Sequence, residues 1–261
     1  MSPNRYSQLI AEIFARHYRK GLYSFEFDRD EIEIAAHKLS VKLPKNLGDL
    51  IYTFRYRISL PEAIRSTAPE GYEWTIRPAG QARYRFQLGK LGRILPQPDL
   101  VAVKIPDATP EIVAFNALSD EQALLAKVRY NRLIDIFLGI TAYSLQNHLR
   151  TTVKGLGQIE IDELYVGLNR HGQQFVVPVQ AKGGADRLAT IQTEQDIRCC
   201  AEKFPSLTCR AVSAQFMDSA AIAMFELVID EEEVRIVDEK HYRLVPASEI
   251  DDTDRKNYSL R

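Results

Sequence analysis

The chain has 261 residues, of which 45% are hydrophobic and 26% charged, a composition that excludes a disordered protein and allows one large core or two modest ones. No run approaches the roughly 18 apolar residues of a membrane helix, and the first residues lack the apolar core of a signal peptide, so we expect a cytoplasmic protein without a membrane partner. The net charge of −1 hides a basic front part, residues 1–104, and an acidic remainder, which suit phosphate contacts and metal binding respectively, although an acidic solvated surface is the commoner explanation of the second.

Three helices and a β-hairpin are predicted for the front part of the chain. Apolar residues at helical spacing, with capping and stop residues around them, predict the helices 7–19, 31–38 and 46–56. After Pro61 apolar residues alternate on both sides of the turn Ala79-Gly80-Gln81, which predicts a hairpin. This order is typical of a winged helix-turn-helix domain. We expect such a domain, with its linker, over residues 1–105.

A second domain is expected over residues 106–250, before a polar tail, 251–261, that we expect to fray. The segment between Gly89 and Pro110 is rich in Pro and Gly and predicts a linker with one short strand. A long helix should run from Ser119 to Phe137. The further predicted elements are the strands 142–153, 158–168 and 174–181, a helix over 185–202, the strand 207–216, and a hairpin of strands 223–230 and 234–238.

Polar residues follow one another at the ends of the second and third predicted strands of this domain. Alternation places Glu160 and Asp162 on one face of the second strand, and Gln180 and Lys182 on one face of the third. The tight turn between the strands brings the two pairs together. A carboxylate, an amide oxygen, the backbone carbonyl of Ala181 and a lysine suit Mg²⁺ and an attacking water. The pattern therefore predicts phosphodiester hydrolysis, and a mere surface pair of Asp and Lys is the alternative.

The sequence over roughly residues 119–217 resembles the PD-(D/E)xK nuclease superfamily. The resemblance rests on the order helix, strand, strand with Asp, strand with Gln-x-Lys, helix. It implies an α+β or α/β restriction-endonuclease-like fold, a mixed β-sheet flanked by helices, with Mg²⁺ as cofactor and Mn²⁺ as its substitute. It also implies that Asp162 binds the metal, that Gln180 occupies the middle acidic position, and that Lys182 is catalytic. An additional acid on the preceding helix is implied, for which we take Glu121, although Asp135 competes.

Gln180 departs from the family pattern, in which Glu or Asp is usual and Gln occurs in Mrr-type enzymes. The amide keeps an oxygen ligand but removes one negative charge, so metal binding should weaken unless Glu160, Glu163 or Glu121 compensates. We take Glu160 as the further metal ligand. On the following helix, Gln192, Gln195 and Asp196 lie one turn apart, and we expect a solvated helix face there rather than a part of the site.

Basic residues in the front part predict contacts with DNA. The third helix would be the recognition helix, with Lys45 and Asn46 near base edges and Arg55 and Arg57 near phosphates. Arg83 and Arg85 would decorate the wing. Ordinary core aromatics with a solvated basic face are the alternative.

The functional prediction is a type II restriction endonuclease that cuts double-stranded DNA at a specific sequence. It would act as a homodimer if both strands of a symmetric site are cut. Two alternatives stay open: a DNA-binding regulator with a degenerate nuclease domain, and a DNA repair or junction nuclease.

Overall fold

A computed structural model describes residues 4–43, 46–56, 58–90, 93–117, 120–182, 188–217, 221–230 and 233–259. The chain forms two compact units, Met1–Gly92 with Thr152–Gln158, and Arg93–Thr151 with Ile159–Arg261. The expected mixed architecture of helices and sheets is confirmed, and the larger unit contains a large mixed sheet flanked by helices.

The first unit combines helices with a three-stranded antiparallel sheet. Its elements are α1 (Arg5–His17), β1 (Ser24–Asp28), α2 (Glu31–Leu39), α3 (Leu47–Tyr56), α4 (Glu62–Arg65), β2 (Tyr72–Gly80) and β3 (Arg83–Lys90). The sheet order is β1-β3-β2. The three predicted helices and the hairpin are confirmed, whereas the strand β1 and the short helix α4 were not predicted.

Aromatic packing holds this unit together. The Phe14 ring, on the apolar face of α1, lies 5.2 Å from the ring of Trp74 and 5.1 Å from that of Phe86, both edge-on. Such pairs add to the free energy of burial, about 0.5–1.5 kcal/mol each. The helix therefore packs directly on the sheet.

The second unit is built on an eight-stranded sheet. The strands of the unit, of which all but β4 and β9 form this sheet, are β4 (Arg93–Ile94), β5 (Val103–Pro106), β6 (Thr141–Val153), β7 (Gly157–Leu168), β8 (Gln174–Lys182), β9 (Leu188–Ala189), β10 (Thr208–Cys209), β11 (Ala211–Phe216), β12 (Ala221–Asp230) and β13 (Glu233–Val245). Its helices are α5 (Glu111–Asn116), α6 (Asp120–Tyr130), α7 (Leu133–Leu138), α8 (Thr190–Lys203) and α9 (Asp252–Ser259).

The order of this sheet is β5-β13-β12-β11-β8-β7-β6, with β10 also pairing with β8, and β4 pairs separately with β9. β7 and β8 are antiparallel, whereas β8 and β11 are parallel and are connected through α8. A parallel neighbour requires such a crossover connection.

Helices cover both faces of the sheet. Leu124 and Val128 of α6, with Leu133 of α7, pack in one core cluster with Val179 and Met224 of the sheet. Ile197 of α8 packs with Ala223, which neighbours Met224 and so points to the opposite face. The two faces therefore have different helices above them, α6 and α7 on one and α8 on the other.

The prediction of one long helix before β6 was wrong, because the chain turns between α6 and α7. Arg132 has φ of 51°, in the left-handed region. The side chain of Asn131 is buried beside it, where it accepts a hydrogen bond from Ala108 N at 2.7 Å and donates one to Thr109 Oγ1 at 2.8 Å. These hydrogen bonds to residues distant in the sequence stabilise the break between the helices. The spacing of apolar residues along the helix does not indicate it. Ser119, the predicted first residue, lies outside the described residues.

The prediction of a frayed tail was also wrong, because α9 docks on β5. Tyr258 Oη donates to Lys104 O at 2.8 Å, and Lys104 Nζ lies 2.9 Å from Asp254 Oδ2. β5 itself pairs with β13. The segment expected to be a linker within the first domain thus belongs to the second unit, and the division falls at Gly92 rather than at residue 105.

Within the described residues, none of the helices has the length and apolar character needed to cross a membrane.

Candidate active site at the end of the β7–β8 ladder

The backbone pairing of β7 with β8 ends where the predicted site begins. Its register runs from Leu168 opposite Gln174 to Glu163 opposite Val179. Beyond it, Asp162 Oδ2 accepts a hydrogen bond from Ala181 N at 2.9 Å, and Gln180 Nε2 donates to Glu160 O at 3.2 Å. Two side chains therefore take the place of backbone partners at this end of the two strands.

The register decides which side chains share a face. Opposite residues of a pair lie on the same face, so Glu163 and Val179 share one, and Asp162, Gln180 and Lys182 lie on the other. Val179 belongs to the core under α6 and α7. The predicted site residues therefore lie on the face that α8 covers.

Lys182 and Glu121 form an ion pair at the edge of this site. Lys182 Nζ lies 3.0 Å from Glu121 Oε1, and the Lys182 side chain is 14% exposed against 43% for Glu121. Glu121 stands in the first turn of α6. The competing acid, Asp135, instead bonds to Arg132 and accepts from Ala142 N at 3.0 Å. Of the two acids considered, Glu121 is the one beside the lysine.

Burial raises the pKa of Asp162 above its ordinary value. The hydrogen bond from Ala181 N and the positive charge of Lys182 oppose this effect, whereas the charge of Glu121 adds to it. A partly desolvated carboxylate of this kind has a strong preference for a nearby cation. Asp162 is therefore an acid that a bound cation would stabilise in its ionised form.

The acids expected to compensate for Gln180 have separate partners. Glu160 lies 3.2 Å from Arg150 Nε and 3.8 Å from His148 Nδ1. Glu163 is fully buried on the other face of the sheet, where it accepts hydrogen bonds from Arg129 Nε and Ser144 Oγ, both at 2.8 Å. Glu163 therefore belongs to a buried network under α6 and α7 and not to the site.

The prediction that Gln195 and Asp196 lie on a solvated face was wrong. Both are buried, and Asp196 is only 2% exposed. Asp196 Oδ2 accepts a hydrogen bond from Gln180 Nε2 at 2.8 Å. Burial raises the pKa of Asp196 well above its ordinary value, and the charge of Asp162 raises it further. The sequence does contain a signal for this contact, because the face of α8 that covers the sheet is polar.

β11 contributes two further polar residues that sequence reasoning missed. Ser213 lies opposite Gln180 in the parallel register, and Gln215 lies opposite Lys182. Among the described residues, Gln180 Oε1, Ser213 Oγ and Gln215 Oε1 are buried oxygens that have no hydrogen-bond partner. Buried oxygens without partners cost free energy, about 1–3 kcal/mol each. They lie on two neighbouring strands, on the face of the sheet that carries Asp162.

The donor atoms fit a hard divalent cation. Asp162 would supply a carboxylate oxygen, and Gln180 Oε1 is a buried acceptor that no described donor satisfies. Both are oxygen ligands of the kind that Mg²⁺ prefers. In the described part of the chain, His, Cys, Asp and Glu alone do not form a group of three or more that could hold a metal ion. Among these described residues, the amide of Gln180 adds an oxygen donor beside Asp162.

The residues predicted to bind DNA have partners of their own in the first unit. Asn46 Oδ1 accepts from Gly48 N at 3.0 Å, which caps α3. Arg83 Nε donates to Asp28 Oδ1 at 3.0 Å, and Arg85 Nε donates to Glu26 Oε1 at 3.2 Å. Strand β1, which the sequence did not predict, thus places two acids beside the wing arginines.

The remaining residues of this unit that were predicted to contact DNA are Arg55, Lys45 and Arg57. Arg55 is half-buried near the end of α3. Lys45 and Arg57 lie outside the described residues.

Comparisons of the chain with protein-family models, with curated proteins and with solved structures find no match. The function is therefore inferred from the geometry of the second unit and the charge of the first.

Proposed function

We propose that this chain is a metal-dependent endonuclease that hydrolyses phosphodiester bonds in double-stranded DNA at a specific sequence, in the manner of a type II restriction enzyme. The observation that carries the proposal is the convergence of Asp162, Gln180 and Lys182 at the end of the β7–β8 ladder, with Glu121 bonded to Lys182. The path α6, β6, β7, β8, α8, β11, with β8 parallel to β11, supports a likeness to the PD-(D/E)xK nucleases.

Each residue has a distinct part in the proposed reaction. Mg²⁺ or Mn²⁺, bound by Asp162 and Gln180, would supply Lewis-acid polarisation of the phosphate and a more acidic water. Ala181 N fixes the Asp162 carboxylate in place. Lys182 donates hydrogen bonds towards the attacking water or the phosphate oxygens, where negative charge grows in the transition state. Glu121 holds the Lys182 side chain so that its ammonium group is oriented before DNA arrives.

The first unit is proposed to bind the DNA. Its element order, α1-β1-α2-α3-β2-β3 with the short α4 inserted, and its sheet order, β1-β3-β2, support a winged helix with α3 as recognition helix and the β2–β3 hairpin as wing. The basic excess of residues 1–104 suits the phosphate backbone. Recognition of a symmetric site would require two copies of the chain, so a homodimer is part of the proposal.

Plasmid cleavage tests the proposal. Purified protein with Mg²⁺ should give discrete fragments with fixed ends, and Lys182→Ala should slow single-turnover cutting by at least about 100-fold. Lys203→Ala is the control, because Lys203 also pairs with a glutamate, Glu202 at 2.8 Å, at the more exposed end of α8.

Other outcomes would redirect or remove the proposal. Smears, or a preference for nicked or branched DNA, would favour a repair or junction nuclease over a restriction enzyme. An intact plasmid together with salt-sensitive DNA binding would replace the nuclease by the regulator.

A further inference from the structure

Asp196 is a buried acid whose side chain contacts Gln180. It lies on α8, accepts a hydrogen bond from Gln180 Nε2 at 2.8 Å, and is 2% exposed. Other polar residues of the same helix have their partners elsewhere: Glu194, for example, pairs with Arg198 at 2.9 Å. A carboxyl group in such a place is costly to bury, so its retention is a reason to look for a role beyond stability.

The hydrogen bond to Asp196 determines how the Gln180 amide is turned. An amide has one donor end and one acceptor end, and the backbone carbonyl of Glu160, which binds the same end as Asp196, accepts only. Asp196 and the carbonyl of Glu160 both bind the Nε2 end. The Oε1 end is left as a buried acceptor beside Ser213 and Gln215, whose own buried oxygens also have no described partner.

We propose that Asp196 is a positioning residue for the metal site: it turns the Gln180 amide so that Oε1 is the ligand, and with a cation bound it carries on α8 the negative charge that an acid at position 180 would carry. This inference rests on the proposed metal-dependent function. The negative charge that Gln180 lacks is thereby assigned to Asp196, which contacts Gln180. Glu160 and Glu163 have partners of their own.

An exchange of the two groups tests the pair directly. In Asp196→Asn/Gln180→Glu the acid moves from the helix to the strand, side-chain lengths and total charge are unchanged, and the Asn amide can donate to the new carboxylate. Mn²⁺ binding is measured by calorimetry on the full chain, and unfolding midpoints are recorded without metal. DNA cleavage by the metal-loaded protein is measured in parallel under single-turnover conditions.

The single variants and the exchange should differ clearly in Mn²⁺ affinity. Asp196→Asn should weaken Mn²⁺ binding about 10- to 100-fold, the usual effect of losing the partner of a metal ligand. Gln180→Glu should also weaken it, although it installs the acid usual in the family, because the new carboxylate faces Asp196 at hydrogen-bond distance. The double variant should return Mn²⁺ affinity to within about threefold of the unchanged chain.

Glu194→Gln is the matched control, since it also converts a buried acid of α8 to an amide. It should leave Mn²⁺ affinity unchanged. If Asp196→Asn fails to fold, Gln180→Glu still decides the matter, because stronger Mn²⁺ binding in that variant overturns the inference. Equal Mn²⁺ binding by Asp196→Asn and the unchanged chain, or failure of the exchange to restore binding, overturns it as well.

The two proposals fail in distinguishable ways. If the unchanged chain binds Mn²⁺ with the expected dependence on Asp196 but never cuts DNA, the endonuclease proposal fails and the positioning role stands. If it cuts DNA while binding is indifferent to Asp196, only the positioning role fails. If it does not bind Mn²⁺ at all, both are overturned.

Discussion

Asp162 and Glu163 are consecutive residues of β7 that serve opposite faces of the same sheet. Asp162 accepts a hydrogen bond from Ala181 N at the end of the β7–β8 ladder, whereas Glu163 accepts from Arg129 and Ser144 beneath the other face. The first acid lies at the predicted metal site, whereas one carboxylate oxygen of the second is bonded to an arginine and a serine of the protein. Substitution of each should therefore have a different result.

Asp162→Asn should abolish cleavage without destabilising the metal-free fold. The Asn carbonyl can still accept from Ala181 N, and the buried charge is gone. Because burial raises the pKa of Asp162 in the folded state, its ionisation opposes folding at neutral pH. We expect the free energy of unfolding to be equal or higher by about 1 kcal/mol, and cleavage to fall by at least about 100-fold. Urea unfolding without metal and single-turnover cleavage measure the two effects. A loss of stability would indicate a structural acid.

Glu163→Gln should destabilise the second unit and leave metal binding intact. The Glu163 side chain is fully buried, and its substitution leaves Arg129 without its charged partner. Breaking a buried pair costs about 3–5 kcal/mol, and partial exposure of Arg129 reduces the expected loss to about 2–3 kcal/mol. Urea unfolding and Mn²⁺ calorimetry on the folded protein measure these quantities. Weakened Mn²⁺ binding at unchanged stability would place Glu163 at the site instead.

Glu26→Gln should strengthen DNA binding by the first unit. Glu26 is bonded to Arg85, and its removal leaves that arginine free to contact phosphate. One added phosphate contact releases about one counterion from DNA, so affinity at low salt should rise about three- to fivefold and the slope of log affinity against log salt should steepen by about 0.9. Fluorescence anisotropy with duplex DNA over a salt series measures the change, and Arg85→Ala should shift affinity in the opposite direction. Glu62→Gln, which releases Arg65 on α4, is the control for a change in net charge. Equal gains in both acid variants would show that net charge alone is responsible.

The docked helix α9 should loosen at acid pH. The hydrogen bond from Lys104 is the main cause that lowers the pKa of Asp254 below its ordinary value. A lowered pKa means that the ionised carboxylate stabilises the docked state above the ordinary pKa of an aspartate, and that this stabilisation is lost as the pH falls through the lower folded value. The protection factors of the amides of residues 252–259, which are corrected for the pH dependence of intrinsic exchange, should therefore fall below about pH 4. Asp254→Asn should show the faster exchange already at neutral pH. Exchange that is independent of both changes would leave Tyr258 as the anchor.

Local patterns were sufficient for much of the candidate site. The alternation of apolar and polar residues in β7 and β8 has a period of two, so it indicates which side chains share a face before any fold is known. A tight turn between the strands then makes Asp162 and Gln180 neighbours. The ion pair of Lys182 with Glu121 was also accessible, because an acid in the first turn of a preceding helix was one of two candidates.

The sequence by itself determined the periodic elements and the strand ends that carry Asp162, Gln180 and Lys182. Only the tertiary structure decided the partners of these elements: Asp196 of α8 and Ser213 of β11 beside Gln180, and the acids of β1 beside Arg83 and Arg85. The physical reason is that periodicity records the environment of a residue along its own element. A hydrogen bond between residues of different elements depends on how those elements pack, and that packing is set by the whole core.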